Sequence, residues 1–424
     1  DTDLTQPAEK AVFRAQMAYL AYRIADPVTW SAERGYCSGN PNMSVSYILT
    51  LGTIACLLPD HPMAKTWSDY ASAWMDKWLG AEVGPNGEWG MEGLHYGQVS
   101  LTPMIAYAIA AKRAGFRDFT DDPRLKKVAL YFAKHWTSPD PRRKNHRVSP
   151  PIGRGTCGET ASLFGVMARM TAEKDPGFSK TMQWMWKTQA STPITMGDWR
   201  MGGFELLYID ESLPEQRPDW RSELFLQLGA VMRDGLGEPE EHCLTLLASV
   251  DALHNLDVWV PEIGGIANWF AKGKPISQSF GFGIGYADRH ELLRDGVYLA
   301  RNWDGASEGK LPFGYYVKTA FDAFASLPGM DYCRSSFTNT KADPRDWFPD
   351  KLPAWPKVKA ATGESLEWTR QALYMKDRHL NGPHYLVLRD SASGGQPTCW
   401  QFRSYTEKLG TPEQSKDAGF LADK

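Results

Sequence analysis

Glu223-Leu224-Phe225-Leu226-Gln227-Leu228-Gly229-Ala230 carries an apolar side chain at every second position from 224 to 230. Successive side chains of a strand point to opposite faces, so this period of two predicts a half-buried strand. The first half of the chain has a different period. Phe13, Met17, Leu20 and Ile24 recur at helical spacing, as do Trp67, Tyr70, Trp74 and Trp78, with Gly80 as the expected C-cap. Further helices are expected over 44–58, 97–114, 123–136, 158–173 and 178–189, several of them closed by Gly or opened by Pro. After about residue 195 the strand pattern returns at 243–250, 265–271, 296–300, 315–319, 371–375, 385–389 and 398–403, punctuated by Gly, Pro and Asp.

The expected fold is therefore α+β and multidomain. Residues 1–195 read as about seven helices in pairs, the element order of an (α/α) toroid, incomplete in this chain. Residues 196–424 read as an antiparallel β-sandwich, with a surface excursion at 337–367 rich in Pro, Asp and Lys.

With 424 residues the chain has ample length for a core. A formal net charge of −3 gives no general pull toward nucleic acid or anionic membrane, so a polyanion would have to be drawn by a local cleft. No stretch reaches the ~18 apolar residues that a membrane span needs. The six cysteines, at 37, 56, 157, 243, 333 and 399, show no CxxC or tight Cys/His spacing. The 17 Trp, 17 Tyr and 18 Phe invite a carbohydrate ligand, because aromatic faces stack on the apolar faces of sugar rings, although most such rings belong to a core. The chain begins at Asp1 rather than Met, which leads us to expect a piece of a longer precursor.

Chemically able side chains concentrate in Asn86-Gly87-Glu88-Trp89-Gly90-Met91-Glu92-Gly93-Leu94-His95-Tyr96-Gly97, ahead of an apolar helix. Glycines let the backbone turn tightly and let a ligand approach, and a Tyr beside ionisable neighbours can transfer protons. Two further segments are informative: Gly39-Asn40-Pro41-Asn42-Met43-Ser44, and His254-Asn255-Leu256-Asp257 followed by Gly264-Gly265-Ile266-Ala267-Asn268-Trp269 and Gly273-Lys274-Pro275. Each residue also has a plain structural reading. Asn42 suits a cap for the helix expected near Ser44, Glu92 a partner for backbone amides, and His95 and His254 satisfied structural histidines.

In these segments the chain resembles polysaccharide lyases of the heparinase II/III type, relatives of alginate and chondroitin lyases. Glu92-Gly93-Leu94-His95-Tyr96 is similar to the family's Glu-Gly-x-x-Tyr segment, whose Tyr transfers the proton. Asn42, with Asn40 second, matches the Asn turn that faces the substrate carboxylate, and His254 matches the His turn, although Leu256 stands where a second His is usual. The resemblance implies a toroid followed by a sandwich, a catalytic set of Tyr96, His254, Asn42 and Glu92, and a periplasmic or secreted location. It implies no required cofactor, with room for a divalent metal in the β-domain at Asp257. The implied partner is an acidic polysaccharide.

Further substrate contacts are expected from His95, from Trp89 and Trp269 as sugar platforms, from Arg154 in the Gly153-Arg154-Gly155 turn, and from His146 in the basic run 142–147. Two other classes remain open. A glycoside hydrolase would use paired carboxylates such as Glu88 and Glu92, with Glu159 and Asp198 elsewhere, and a non-catalytic carbohydrate-binding protein would keep only the aromatic platforms.

Overall fold

A computed structural model describes residues 6–28, 41–89, 94–150, 161–188, 207–226, 228–247, 265–278, 296–299, 316–340, 367–393, 398–402 and 404–405. Seven α-helices lie in these residues: α1 Pro7–Ala25, α2 Pro41–Leu57, α3 Ala64–Glu82, α4 Leu94–Arg113, α5 Pro123–His135, α6 Ser162–Thr171 and α7 Pro176–Lys187. Their starts follow capping chemistry. Gln6 and Glu9 form a capping box ahead of α1. Asp122 accepts from the Arg124 amide at 2.9 Å, and Asp175 from the Phe178 amide at 3.1 Å, each with Pro in the first turn of its helix. Gly80 does not end α3 as expected. The helix continues to Glu82 because the following loop returns as a hairpin, bridging Val83 to Trp89.

Packing fixes the direction of these helices. A Cβ at Gly52 of α2 would lie 2.5 Å from Ala71 Cβ of α3 and 2.5 Å from the Tyr107 ring of α4. The three helices therefore meet where one has no side chain. The Tyr107 hydroxyl closes the contact, donating to the Ser68 carbonyl at 2.9 Å and accepting from the Ser72 hydroxyl at 2.8 Å. We expect Gly52→Ala to be a net loss of about 1–2 kcal/mol, since overpacking two rigid neighbours outweighs the ~1 kcal/mol gain in helix propensity. The urea midpoint checks this, and a raised midpoint would show that the contact has slack.

The strands are β1 Glu223–Phe225, β2 Gly229–Asp234, β3 His242–Leu247, β4 Ile266–Ala271, β5 Lys274–Gln278, β6 Gly296–Leu299, β7 Tyr316–Leu327, β8 Met330–Thr340, β9 Glu367–Met375, β10 Tyr385–Ser393 and β11 Thr398–Gln401. The first five form an antiparallel sheet in chain order, β10-β9-β8-β7 form a second antiparallel sheet, and β11 pairs with β6. The stretch 224–230 is a hairpin and not the single strand its alternation predicts. Phe225 pairs with Gly229, and the Leu228 amide donates to the Phe225 carbonyl at 3.0 Å. Gly229 is required there, because with φ +154° a Cβ would fall 1.9 Å from the Leu246 carbonyl oxygen. Residues 337–340 belong to β8, so the expected excursion does not begin at 337. Its remainder, 341–366, lies outside the described residues, as does the expected domain boundary near 195.

The five-stranded sheet is buried on both faces. Phe225, Val231, Cys243, Leu247, Ala267 and Phe270 share one core with the helices. Ala230, Met232, Leu244, Leu246 and Ile266 face Cys333, Ala372 and Tyr374 of the four-stranded sheet. Trp269 and Phe270 are adjacent in β4 and so point to opposite faces, Trp269 joining the second core and Phe270 the first. Helices and sheet are also joined by charge. Buried Glu241, just before β3, receives both Arg147, which follows α5, and Arg233 of β2, at 2.8 Å and 3.7 Å.

Candidate functional site

Three of the helices run the same way. α3 is antiparallel to α2, since Gly52 meets Ala71 across a link of only residues 58–63. α4 begins near the end of α3, where Trp89, bridged to Val83, lies against Gly97, and it reaches Ser68 and Ser72 only at Tyr107. At 1.5 Å per residue, the 11 steps from Pro41 to Gly52 and the 13 from Leu94 to Tyr107 are each a rise of roughly 17–20 Å. The first turns of α2 and α4 therefore lie at one end of the helical layer. α5 returns to that end, with Phe132 against Gly97. α6 starts there too, with Phe164 edge-on to Trp136 at 5.1 Å. It finishes at the opposite end, where Lys126 meets Asp175 at 2.8 Å and Lys174 meets Asp118 at 2.7 Å.

α2, α4 and α6, adjacent in that order, thus present their N-termini together. Unpaired backbone N–H groups and the helix dipole make each such end favourable to an anion by about 0.3–1 kcal/mol. The sequence places Asn40, Glu92 and Arg154 in the segments entering these helices. Asn42 is the buried second residue of α2, inside its first turn, so it does not cap a helix starting at Ser44. His95 and Tyr96 are the second and third residues of α4. Asn40, Glu92, Arg154, His254 and Asp257 lie outside the described residues, as do Glu159 and Asp198.

The floor of this end is built by the 83–89 hairpin and the β1–β2 turn. Glu88 is buried there as a backbone clamp. One carboxylate oxygen accepts from the Asn86 amide at 2.8 Å and the other from the Leu226 amide at 3.3 Å, while the Asn86 side chain donates to the Leu224 carbonyl at 3.1 Å. A carboxylate held in this way is a structural tie between loop and sheet, which removes it from the hydrolase pair. Trp89 is also reassigned. It is only 3% exposed, packed on Gly97 and Phe132, and so has no open face for a sugar. Trp269, half-buried beside Phe402 at 6.2 Å, faces the second sheet and not the helices, so it is not a platform at this end. His146 sits in the 140–147 turn, its amide bonded to the Arg143 carbonyl at 3.1 Å; burial, then Lys144 beside it, draws its imidazole down.

Two other titratable rings near this end are excluded as bases. Burial, reinforced by the Glu88 charge, pushes the Tyr131 phenol far up, and burial pushes His135 down to about 3. Sequence reading missed Gln98, two residues beyond Tyr96, whose buried Nε2 has no hydrogen-bond partner among the described residues, as is also true of Trp89 Nε1. A glutamine within a helix has no signature that would single it out. Among the described residues, no three of His, Cys, Asp and Glu gather as a metal site, and no helix is long and apolar enough to cross a membrane.

The fold has counterparts among solved structures. It is similar to a heparan sulfate lyase HepC mutant from Pedobacter heparinus, with TM-score 0.56 and 12% identity over 90% of this chain and 48% of that one. It is also similar to heparinase III, with TM-score 0.51 and 13% identity over 86% of this chain and 51% of that one. The chain spans about half the length of these structures, and at such identities the likeness shows the fold alone. No family profile and no curated protein matches the sequence.

Proposed function

We propose that this chain belongs to a polysaccharide lyase that cleaves a uronate-containing polymer, of the glycosaminoglycan or alginate kind, by β-elimination. The observation that carries this reading is the convergence of α2, α4 and α6, with Asn42 and Tyr96 in the first turns of two neighbouring parallel helices. The fold's likeness to a heparan sulfate lyase and to heparinase III supports it.

Elimination removes the weakly acidic C5 proton of a uronate and expels the oxygen at C4. Negative charge grows on the carboxylate as the C5–H bond breaks. Donors fixed in advance stabilise that charge without reorganising. In this reading Asn42, the amides at the start of α2 and His254 take that role, with Glu92 protonated beside them. Tyr96 takes the C5 proton, C4=C5 forms, and the C4–O bond breaks with the proton passing to the departing oxygen. In the same reading Arg154, His95, His146 and Asn40 bind the polyanion, which the chain's net charge of −3 does not attract by itself. No step uses a cofactor, and a periplasmic or secreted enzyme meets such polymers.

Ultraviolet absorbance during incubation with a panel of polyuronates and glycosaminoglycans tests the reading, because the C4–C5 double bond absorbs and hydrolysis products do not. A rising signal on one polymer supports elimination and names the substrate class. New reducing ends without absorbance would replace this reading with hydrolysis.

A further inference from the structure

At the edge where the two sheets meet, two imidazoles lie face to face. His242 opens β3, and His384 ends the 376–384 turn that joins β9 to β10. Their ring centroids are 3.8 Å apart with planes 19° from parallel, and both side chains are almost free of solvent.

Hydrogen bonding assigns each nitrogen. Nε2 of His242 lies 3.1 Å from the Leu380 carbonyl, which only accepts, so this nitrogen carries hydrogen. Nδ1 lies 2.8 Å from the Tyr374 hydroxyl of β9 and accepts from it. That set is complete for a neutral ring. His384 is placed differently. Its Nδ1 faces the Gly382 carbonyl and its Nε2 the Asp234 carboxylate, each at 3.2 Å. A proton added to His384 finds an acceptor. A proton added to Nδ1 of His242 displaces the phenol's acceptor and, once His384 is charged, sets a second positive ring 3.8 Å away.

The surrounding charges do not offset this. Asp234 of β2 is engaged with His384, and Lys272 approaches His242 from the β4–β5 turn. Asp331 of β8 and Cys243 of β3 face Tyr374, with Asp331 paired to Lys376 at 2.8 Å, and Asp377 bonds the His379 amide within the turn. Burial first, then His384 and Lys272, hold the His242 imidazole below its ordinary value, against the Leu380 carbonyl and Asp234. The turn also leans on the helix–sheet junction. Leu380 packs on Gly235, where a Cβ would fall 2.5 Å from it, at the start of the loop that carries Glu241.

We propose that the His242–His384 stack is an acid-operated clasp, which seats the 376–384 turn on the five-stranded sheet and releases it when a proton reaches His242. The sign follows from linkage. A histidine held neutral by the fold contributes stability above its unfolded value near ~6.5, and that contribution is lost as pH falls.

Hydrogen–deuterium exchange of the intact chain at pH 7.5 and 5.0, corrected for intrinsic rates, tests this. We expect amides of 376–384 to lose about tenfold protection or more at pH 5.0 relative to β3, since each pH unit below the unfolded value changes the opening equilibrium by up to ~tenfold. His242→Gln, which cannot take that proton, should show equal protection at both pH values. His384→Gln removes the neighbouring cation but not the burial, so it should lessen the loss at pH 5.0, and it serves if the first variant does not fold. Equal protection of the wild-type turn at both pH values, the same acid opening in either variant, or loss spread evenly over all strands would overturn the clasp.

Discussion

Tyr96→Phe should lower turnover on the responsive polymer by about 10²–10⁴-fold, the range that a positioned acid–base group contributes. Phe keeps the ring and nearly the same helix propensity, so the first turn of α4 should stay formed and circular dichroism should be unchanged. Only the phenolic oxygen is lost. If Tyr96 both takes the C5 proton and returns it to the leaving oxygen, kcat falls while binding of uncleaved polymer, measured by calorimetry, persists. A variant with wild-type kcat would end the assignment of Tyr96 as the base, whatever the polymer. Asn42, one helix away at the same end, should behave differently. If Asn42 donates to the carboxylate, Asn42→Ala removes that donor and not the base, so its loss should be rescued in part by polymers whose carboxylate is already neutralised as an ester.

The second large effect falls on stability. Glu241→Gln should cost about 3–5 kcal/mol, because it removes the buried carboxylate charge that Arg147 and Arg233 share. Glu241 is fully buried, accepts from Ser138 Oγ at 3.2 Å and the Gly237 amide at 2.7 Å, and binds Arg147 with both oxygens. Arg233 in turn donates to the Trp136 carbonyl at 2.8 Å, so the same charge anchors the sheet to the end of α5. The control is Glu238→Gln at the exposed Arg217–Glu238 pair, half open to solvent, where the expected loss is under ~1 kcal/mol. The two denaturant midpoints decide the matter. Equal shifts would mean that the Arg147–Glu241–Arg233 group does not hold helices to sheet.

Several helices were legible because their signals are local. Pro123 and His135 bound α5 close to the expected 123–136, and α7 at Pro176–Lys187 overlaps the expected 178–189. β4 and β10 start within a residue of expectation for the same reason. β5 and β8 were missed. Lys274-Pro275-Ile276-Ser277-Gln278 has little alternation, and its strand form rests on pairing with β4. Met330-Asp331-Tyr332-Cys333-Arg334 buries Asp331 and Cys333, and the partners Lys376, Ser222 and Ser326 make a buried Asp331 tolerable. The segments 39–44 and 86–97 could be singled out in the sequence, and the fold brings the helices they lead into, α2 and α4, to start at one end. Glu88 and Trp89 were misread, because the tie of Glu88 to Leu226 and the packing of Phe132 at Gly97 beside Trp89 come from elements distant in the chain.

By itself, the sequence determined the order of helices and then strands, their caps and breaks, and the side chains able to do chemistry, because periodicity, Pro, Gly and Asp act over a few residues. Tertiary structure alone decided that Leu224–Ala230 folds into a hairpin, since the clash a side chain at 229 would meet belongs to Leu246. It alone decided that α2, α4 and α6 start side by side, because the contacts that orient them, Gly52 on Tyr107 and Lys126 on Asp175, join residues about fifty positions apart, beyond the reach of any local period.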